Sequence, residues 1–385
     1  MATQFRADHV GSFLRPEEVK QARDAYRAGS ITEEALREIE NEHILRVIEL
    51  QKQSGIGIYS DGELRRSGWA GGFGESVEGY VEGTPAVSMP FAGGRSDWSQ
   101  TGTGITPDNP IGVPGGGGGG RVIGGKLTQV RRLTGHESAF IKANAPGPYK
   151  VTMPAASYVT ARGYKPGVTD QVYESRAAVL ADAAAIIRGE VAALIGEGCP
   201  YVQIDNPHYP DYIPDERRAQ WEALGVDQDQ ALSDDIDADN ASISGVNRSN
   251  TIVAMHLCRG NGAFGAYHTS GGYDRVAEQL FTRLDVDAWL LEYDSERAGG
   301  FEPLRFMPKG KTVVLGLVTT KAGELESQDL LLSRIEEAAK YVDMDDLALS
   351  PQCGFSSTLQ GNPLAWDDQR LKLELVVETA RRAWG

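Results

Sequence analysis

The segment TIVAMHLCRGN (251–261) ends an apolar, strand-like run with His256 and Cys258. Residues two apart on a strand point to the same face, so this imidazole and this thiol project together. Glu292 stands near the end of a second such run, AWLLEY (288–293), and Cys353 closes a third, LALSPQC (347–353). One imidazole, two thiols and one carboxylate at strand ends form a donor set that suits a tetrahedral Zn2+. The plainer alternative is that the cysteines are small buried hydrophobes and the glutamate an ordinary strand terminus. With no C-x-x-C pair in the chain, residue pattern alone leaves both open.

Strand ends converge only if the strands do. Eight strand-like segments run through the chain: RADHVGS (6–12), IYSDGE (58–63), KVTMPA (150–155), YVQID (201–205), TIVAMHLC (251–258), AWLLEY (288–293), TVVLGLV (312–318) and LALSPQC (347–353). Helical patterns separate nearly all of them: about 32–54, the alanine-rich 175–198, 274–284 and 328–342. In the last, Leu331, Ile335, Ala338, Ala339 and Val342 keep close to a 3.6-residue period. Such alternation implies parallel strands with right-handed crossovers. Eight units predict an α/β (β/α)8 TIM barrel, whose active site lies at the C-terminal ends of its strands. An open doubly wound sheet is the runner-up, but no G-x-G-x-x-G joins an early strand to a helix.

The chain reads as a single catalytic barrel over 1–385, with an insertion at 70–135 after the second strand. The insertion is rich in Gly, Pro and Ser, includes GVPGGGGGG (112–120), and ends in RVIGGKLTQVRRL (121–133). That last piece reads as a β-hairpin arm with a Gly-Gly turn, serving as a lid or an oligomer contact. The acidic stretch 226–242 lacks the Gly and terminal Glu of an EF-hand loop and reads as a solvated helix start.

Composition narrows the partners. The net charge of -16 argues against nucleic acid, which demands a basic face. No apolar run reaches the roughly 18 residues of a membrane span. MATQFRADHVGS shows no signal-peptide pattern, and three widely spaced cysteines do not make a disulfide framework, so a cytoplasmic location is expected. The alanine-rich helices and the glycine-rich arm suggest a homo-oligomer.

The motifs DHVGSFLRP (8–16), YSDGELRR (59–66), YVQIDNP (201–207), MHLCRGN (255–261), LEYDSERAG (291–299), VLGLVTTK (314–321) and SPQCG (350–354) occur in an order that resembles the cobalamin-independent methionine synthase family, in its C-terminal catalytic half and its short single-domain relatives. The resemblance implies a (β/α)8 barrel with a catalytic zinc held by His256, Cys258, Glu292 and Cys353. It also implies that Ser12, Glu63 and Asp205 hold the amino acid end of homocysteine; without it, Ser12 and Asp205 read as caps, Glu63 as an ion-pair partner and His9 as a structural histidine. Such a metal would ionise a thiol and keep it nucleophilic towards an electrophilic carbon, with Glu292 loosening as sulfur binds.

Three departures bear on the alkyl donor. GPYKVTMPAAS (147–157) lacks the family's pterin-stacking Trp, and Trp69 is the candidate substitute. Arg66, Ser67 and Gly68 stand where the synthases carry R-N-D. Thr319, Thr320 and Lys321 replace the segment with the proton-delivering His, leaving Lys321 as the catalytic candidate there. The expected partners are a small thiol and an alkyl donor that need not be methylfolate. A second reading is an epoxyalkane:coenzyme M transferase, with Arg65, Arg66, Arg259 and Lys321 as anchors for a sulfonate; Arg259 is the substrate-binding candidate in either case. A third is a metal-free binding barrel, similar in fold alone to the uroporphyrinogen decarboxylases.

Overall fold

The structure is a computed structural model that describes residues 5–83, 121–223, 225–262 and 265–385. An antiparallel pair, β1 (Val77–Glu82) and β2 (Arg121–Gln129), precedes six parallel strands. These are β3 (Lys150–Pro154), β4 (Tyr201–Asp205), β5 (Ile252–Leu257), β6 (Ala288–Glu292), β7 (Thr312–Val318) and β8 (Leu347–Pro351), hydrogen-bonded in chain order. Two parallel bridges extend the sheet, Tyr59 to Tyr149 beside β3 and Ala7 to Leu349 beside β8. Those two edge segments meet each other: Ser60 Oγ donates to the Gly11 carbonyl at 2.6 Å, and Phe13 N to the Gly62 carbonyl at 3.1 Å. The sheet thus closes as a (β/α)8-type barrel. Its first two members are bridges rather than full strands because they turn at once into the polar segments that carry Ser12 and Glu63.

Every residue of β3, β4, β6 and β8 is buried, as expected for parallel strands covered on both faces. That is why these strands read as apolar runs rather than as alternations. The helix Arg176–Gly196 starts where Ser175 caps the Ala178 N–H, and Glu33–Ser54 where Thr32 caps Ala35.

The arm differs from expectation. Gly124 and Gly125 do not form a hairpin turn; they lie within β2, which pairs with β1 on either side of a register shift opposite Gly79. A Cβ at Gly124 would lie 2.5 Å from Val81 Cγ2, and one at Gly79 2.6 Å from the Lys126 carbonyl oxygen. These glycines therefore permit close strand approach rather than reversal. The run 112–120 lies outside the described residues. The acidic stretch is likewise only partly solvated. Asp227 caps the helix Gln228–Ile243 in solvent, but Asp235 and Asp239 are buried, taking hydrogen bonds from Arg176 and Tyr212, and from Ser157 and Tyr209.

Candidate metal and thiol site

β5 delivers His256 and Cys258 to the C-terminal end of the barrel, and the turn after β8 delivers Cys353. One donor atom from each of the three lies within 4.8 Å of the other two, and all three residues are buried. His256 Nδ1 faces the Leu290 carbonyl at 3.1 Å, which fixes the tautomer and leaves Nε2 as the donor atom. Nε2 is buried without a conventional hydrogen bond and is the nitrogen available to face the sulfurs. The neighbouring Cys258 and His256 pull Cys353 well below the usual thiol range, and the Cys353 sulfur pushes Cys258 well above it. An oriented imidazole and two buried cysteine sulfurs gathered within 4.8 Å fit a zinc shell.

Glu292 does not join this group. At the end of β6, fully buried, it accepts from the Arg259 backbone N–H at 2.5 Å through Oε2 and from Arg297 Nη2 at 2.6 Å through Oε1. Burial opposes its charge, but Lys321, Arg297 and Arg259 hold its pKa below the ordinary carboxylate value.

The sulfurs open onto a cavity of about 920 Å3, including its solvent-facing mouth. Ser12, Glu63, Asp205 and Trp69 line it together with the three donors. A Cβ at residue 354 would fall 1.9 Å from Ser12 Oγ, so glycine there lets the turn behind Cys353 close over Ser12. Glu63 has φ +56°, the one positive value at a non-glycine among the described residues. Such strain persists only where surroundings impose it. Here Asp61 Oδ1 accepts the Glu63 N–H at 2.9 Å, and Thr152 Oγ1 donates to Glu63 Oε1 at 2.6 Å. Burial pushes Asp205 up to about 7 and raises Glu63 as well.

Asp205 is steered from inside the barrel. Gln203 Nε2 donates to Asp205 Oδ1 at 2.7 Å and to the Val10 carbonyl at 2.6 Å, while Gln203 Oε1 accepts from Lys150 Nζ at 2.9 Å. Lys150 Nζ also bonds Asp8 Oδ1 and the His9 carbonyl, each at 2.6 Å. A lysine can only donate, so it fixes which way the Gln203 amide faces.

Other expected residues fall elsewhere. Arg259 does not line the cavity: its guanidinium donates to the carbonyls of Gly271, Glu292 and Ala298 and stacks 4.1 Å from the Tyr273 ring. As anchors for an anion, Arg65 and Arg66 are also corrected. Arg66 grips Glu137 and Thr152, and Arg65 reaches Asn41 and lies over Phe140. Lys321 stands behind the wall, with Nζ on the Gly260 carbonyl at 3.0 Å and on Asn261 Oδ1 at 3.2 Å. It is close enough to depress Glu292 and Cys353 but does not face the cavity. His9 is internal, its Nε2 on the Ile58 carbonyl. Sequence reasoning missed Tyr158, Arg162, His268 and Asn261 as lining residues. Asn261 follows directly in MHLCRGN and could have been found there; the others come from loops and a helix whose approach has no local signature.

The model of the cobalamin-independent synthase catalytic domain matches residues 5–88 and 147–382. The chain belongs to that family. The unmatched stretch between the two blocks includes β2. Two uncharacterized Bacillus subtilis proteins, YxjG and YxjH, are 35% and 36% identical, each match covering 99% of this chain and 95% of theirs. A yeast 5-methyltetrahydropteroyltriglutamate–homocysteine methyltransferase is 21% identical over 98% of this chain but only 42% of its own. A crystal structure of a putative vitamin-B12-independent methionine synthase from Listeria monocytogenes superposes with TM-score 0.72 at 29% identity, covering 100% of this chain and 99% of that one. The B12-independent methionine synthase of Shewanella sp. W3-18-1, solved with selenomethionine, shares the fold with TM-score 0.71 at 19% identity, covering 99% and 98%.

Proposed function

We propose that the protein is a zinc-dependent S-alkyltransferase, most plainly an S-methyltransferase, that acts on a small amino acid thiol such as homocysteine. The observation that carries this reading is the gathering of His256, Cys258 and Cys353 within 4.8 Å on a cavity also lined by Glu63 and Asp205. These three residues would hold the ion, and the chemistry it supplies when bound is ionisation of an incoming thiol at neutral pH.

The chain's own groups bind and orient. Glu63 and Asp205 are buried carboxyls whose ionised forms lack full compensation, and a substrate ammonium would provide it. Ser12 lines the same wall. With the amino group fixed there, the sulfur end extends towards the cysteines. Lys321 contributes positive potential from behind, which favours the anionic form of the sulfur ligands. The carboxylate-lined wall, with Arg65, Arg66 and Arg259 turned to other partners, favours an ammonium over a sulfonate and so homocysteine over coenzyme M. The absence of a proton-donating His at the seventh-strand position supports a donor other than methylfolate. The family match breaks between 88 and 147 while residues 70–88 fall within its first block, which supports an insertion into one catalytic barrel that begins later than residue 70. No helix among the described residues is long and apolar enough to cross a membrane, and all three cysteines are free and buried, which supports a reducing cytoplasm as the compartment.

The test is alkylation of homocysteine and of coenzyme M by a panel of methyl donors and an epoxide, using protein of known zinc content. Methyl transfer to homocysteine that requires stoichiometric zinc supports the reading. Turnover of the epoxide with coenzyme M alone, or undiminished turnover after zinc removal, would overturn it.

A further inference from the structure

Arg15 does not line the cavity, but it is buried between two loops that do. One loop carries Glu63 and runs on through Ser67, Gly68 and Trp69; the other carries Cys353 and runs on through Ser357 and Thr358. The guanidinium ties them together. Nη2 donates to the Glu63 carbonyl at 3.1 Å, and Nε to the Arg66 carbonyl at 3.0 Å. Nη1 donates to the Ser356 carbonyl at 2.7 Å, and to the Ser356 hydroxyl and the Thr358 carbonyl at 3.1 Å each. Four carbonyls and one hydroxyl thus hold a buried cation. Burial pulls its pKa down to about 10, so it stays charged at neutral pH. A planar fork of donors fixes several acceptors relative to one another, which an ammonium cannot do. What it fixes here is a separation. Glu63 stands at one end: its own carbonyl is bonded to Arg15 and its backbone is in the left-handed region, so the direction of its carboxyl follows where that carbonyl is held. Cys353 stands at the other end, three residues before Ser356. The backbone bond from the Trp69 N–H to the Ser357 carbonyl, at 3.1 Å, joins the same loops at a single point.

We propose that Arg15 is a positioning residue that sets the distance between the carboxyl side and the sulfur side of the cavity, and with it the chain length of the amino acid thiol that fits. This rests on the function proposed above and deepens it, because a substrate anchored at both ends is measured by the gap between its anchors. Cysteine is one methylene shorter than homocysteine. With its ammonium on Glu63 and Asp205, its sulfur falls short of the Cys258 and Cys353 side for as long as the gap is held. Without the clamp the two loops move relative to each other, and the cavity no longer tells the two lengths apart.

The experiment titrates homocysteine and cysteine calorimetrically into the full chain, at known zinc content, as native protein, Arg15→Ala and Arg15→Lys. Native protein should bind homocysteine roughly 10–200-fold more tightly than cysteine, the range that one methylene commands. Arg15→Ala should narrow that preference by about tenfold, through weaker homocysteine binding with cysteine binding little changed. Guanidinium ion at a non-denaturing concentration should restore it. Arg15→Lys keeps the charge but not the fork, and should narrow the preference as well, which separates geometry from charge. That variant carries the test if Arg15→Ala does not fold. A folded variant that weakens both thiols alike, with the native preference intact, would make Arg15 a support of the fold alone and overturn the proposal. Equal binding of the two thiols by native protein would also overturn it. Binding of neither thiol by zinc-containing native protein would instead remove the thiol reading itself.

Discussion

The two walls of the cavity are built on opposite plans. The sulfur wall, at the ends of β5 and β8, has few restraints: His256 keeps one ring nitrogen without a conventional hydrogen bond, and the Cys353 sulfur meets the Ser357 hydroxyl at 3.6 Å. The carboxylate wall is braced from behind. Thr152 and Asp61 hold Glu63, and the line Asp8–Lys150–Gln203 holds Asp205. A wall with open valences suits a group that exchanges partners. A wall with fixed hydrogen bonds suits one end of a substrate that must not move. Under the proposed function, chemistry falls to the first side and orientation to the second.

Breaking the sulfur wall should have the largest effect. Cys353→Ala or Cys258→Ala is expected to abolish stoichiometric zinc and lower thiol alkylation by on the order of 1,000-fold or more, with the fold retained by circular dichroism. Near-native turnover in the metal-depleted variants would show that the cysteines are only core residues. The brace comes next. Lys150→Met leaves Asp8 buried without its cation, and a loss of roughly 3–5 kcal/mol in denaturant unfolding is expected. A loss below about 1 kcal/mol would mean that the brace bears little of the structure. Gln203→Glu turns an acceptor towards Asp205 and should raise KM for the amino acid thiol by about 10–100-fold with a smaller change in kcat, the pattern of lost uniform binding. Equal falls in kcat and kcat/KM would move Asp205 from the orienting side to the reacting side.

The most gradual effect is in pH dependence. Burial pushes Asp61, under the carboxylate wall, up to about 7. An acid whose folded pKa lies above its unfolded value of about 4 binds more protons when folded, so its contribution to stability falls as pH rises between the two values. Below about 4 the contribution is constant, and above about 7 the loss is complete. Asp61→Asn should flatten the stability profile in that window by on the order of 1 kcal/mol per pH unit. An unchanged slope would indicate that Asp61 is ionised throughout.

The sulfur wall was legible in the sequence because it is local. H-x-C on a strand forces two donors to one side, and a cysteine closing another parallel strand reaches the same end of the barrel. The barrel followed from apolar runs that are buried on both faces. Glu292 ends its strand as the sequence suggests, but its carboxylate pairs with Arg297, and no spacing rule encodes that. Arg259 turns away from the cavity for a similar reason: a guanidinium reaches far enough to leave the site, and here it ties the carbonyls of Gly271, Glu292 and Ala298 together. The Gly124–Gly125 pair was misread because close strand approach and reversal both favour glycine, and only the presence of β1 opposite distinguishes them. The Lys150–Gln203 brace left no signal, since a lysine beginning an apolar run looks like a strand end at the surface.

The proposed alkyl transfer requires that the three gathered donors hold a metal that takes up substrate sulfur. Zinc-edge X-ray absorption of the purified protein, with and without homocysteine, tests this directly. One zinc per chain with two sulfur neighbours, rising to three when the thiol is added, is the predicted result. A zinc-free active protein, or a sulfur count that stays at two with the thiol bound, would contradict it.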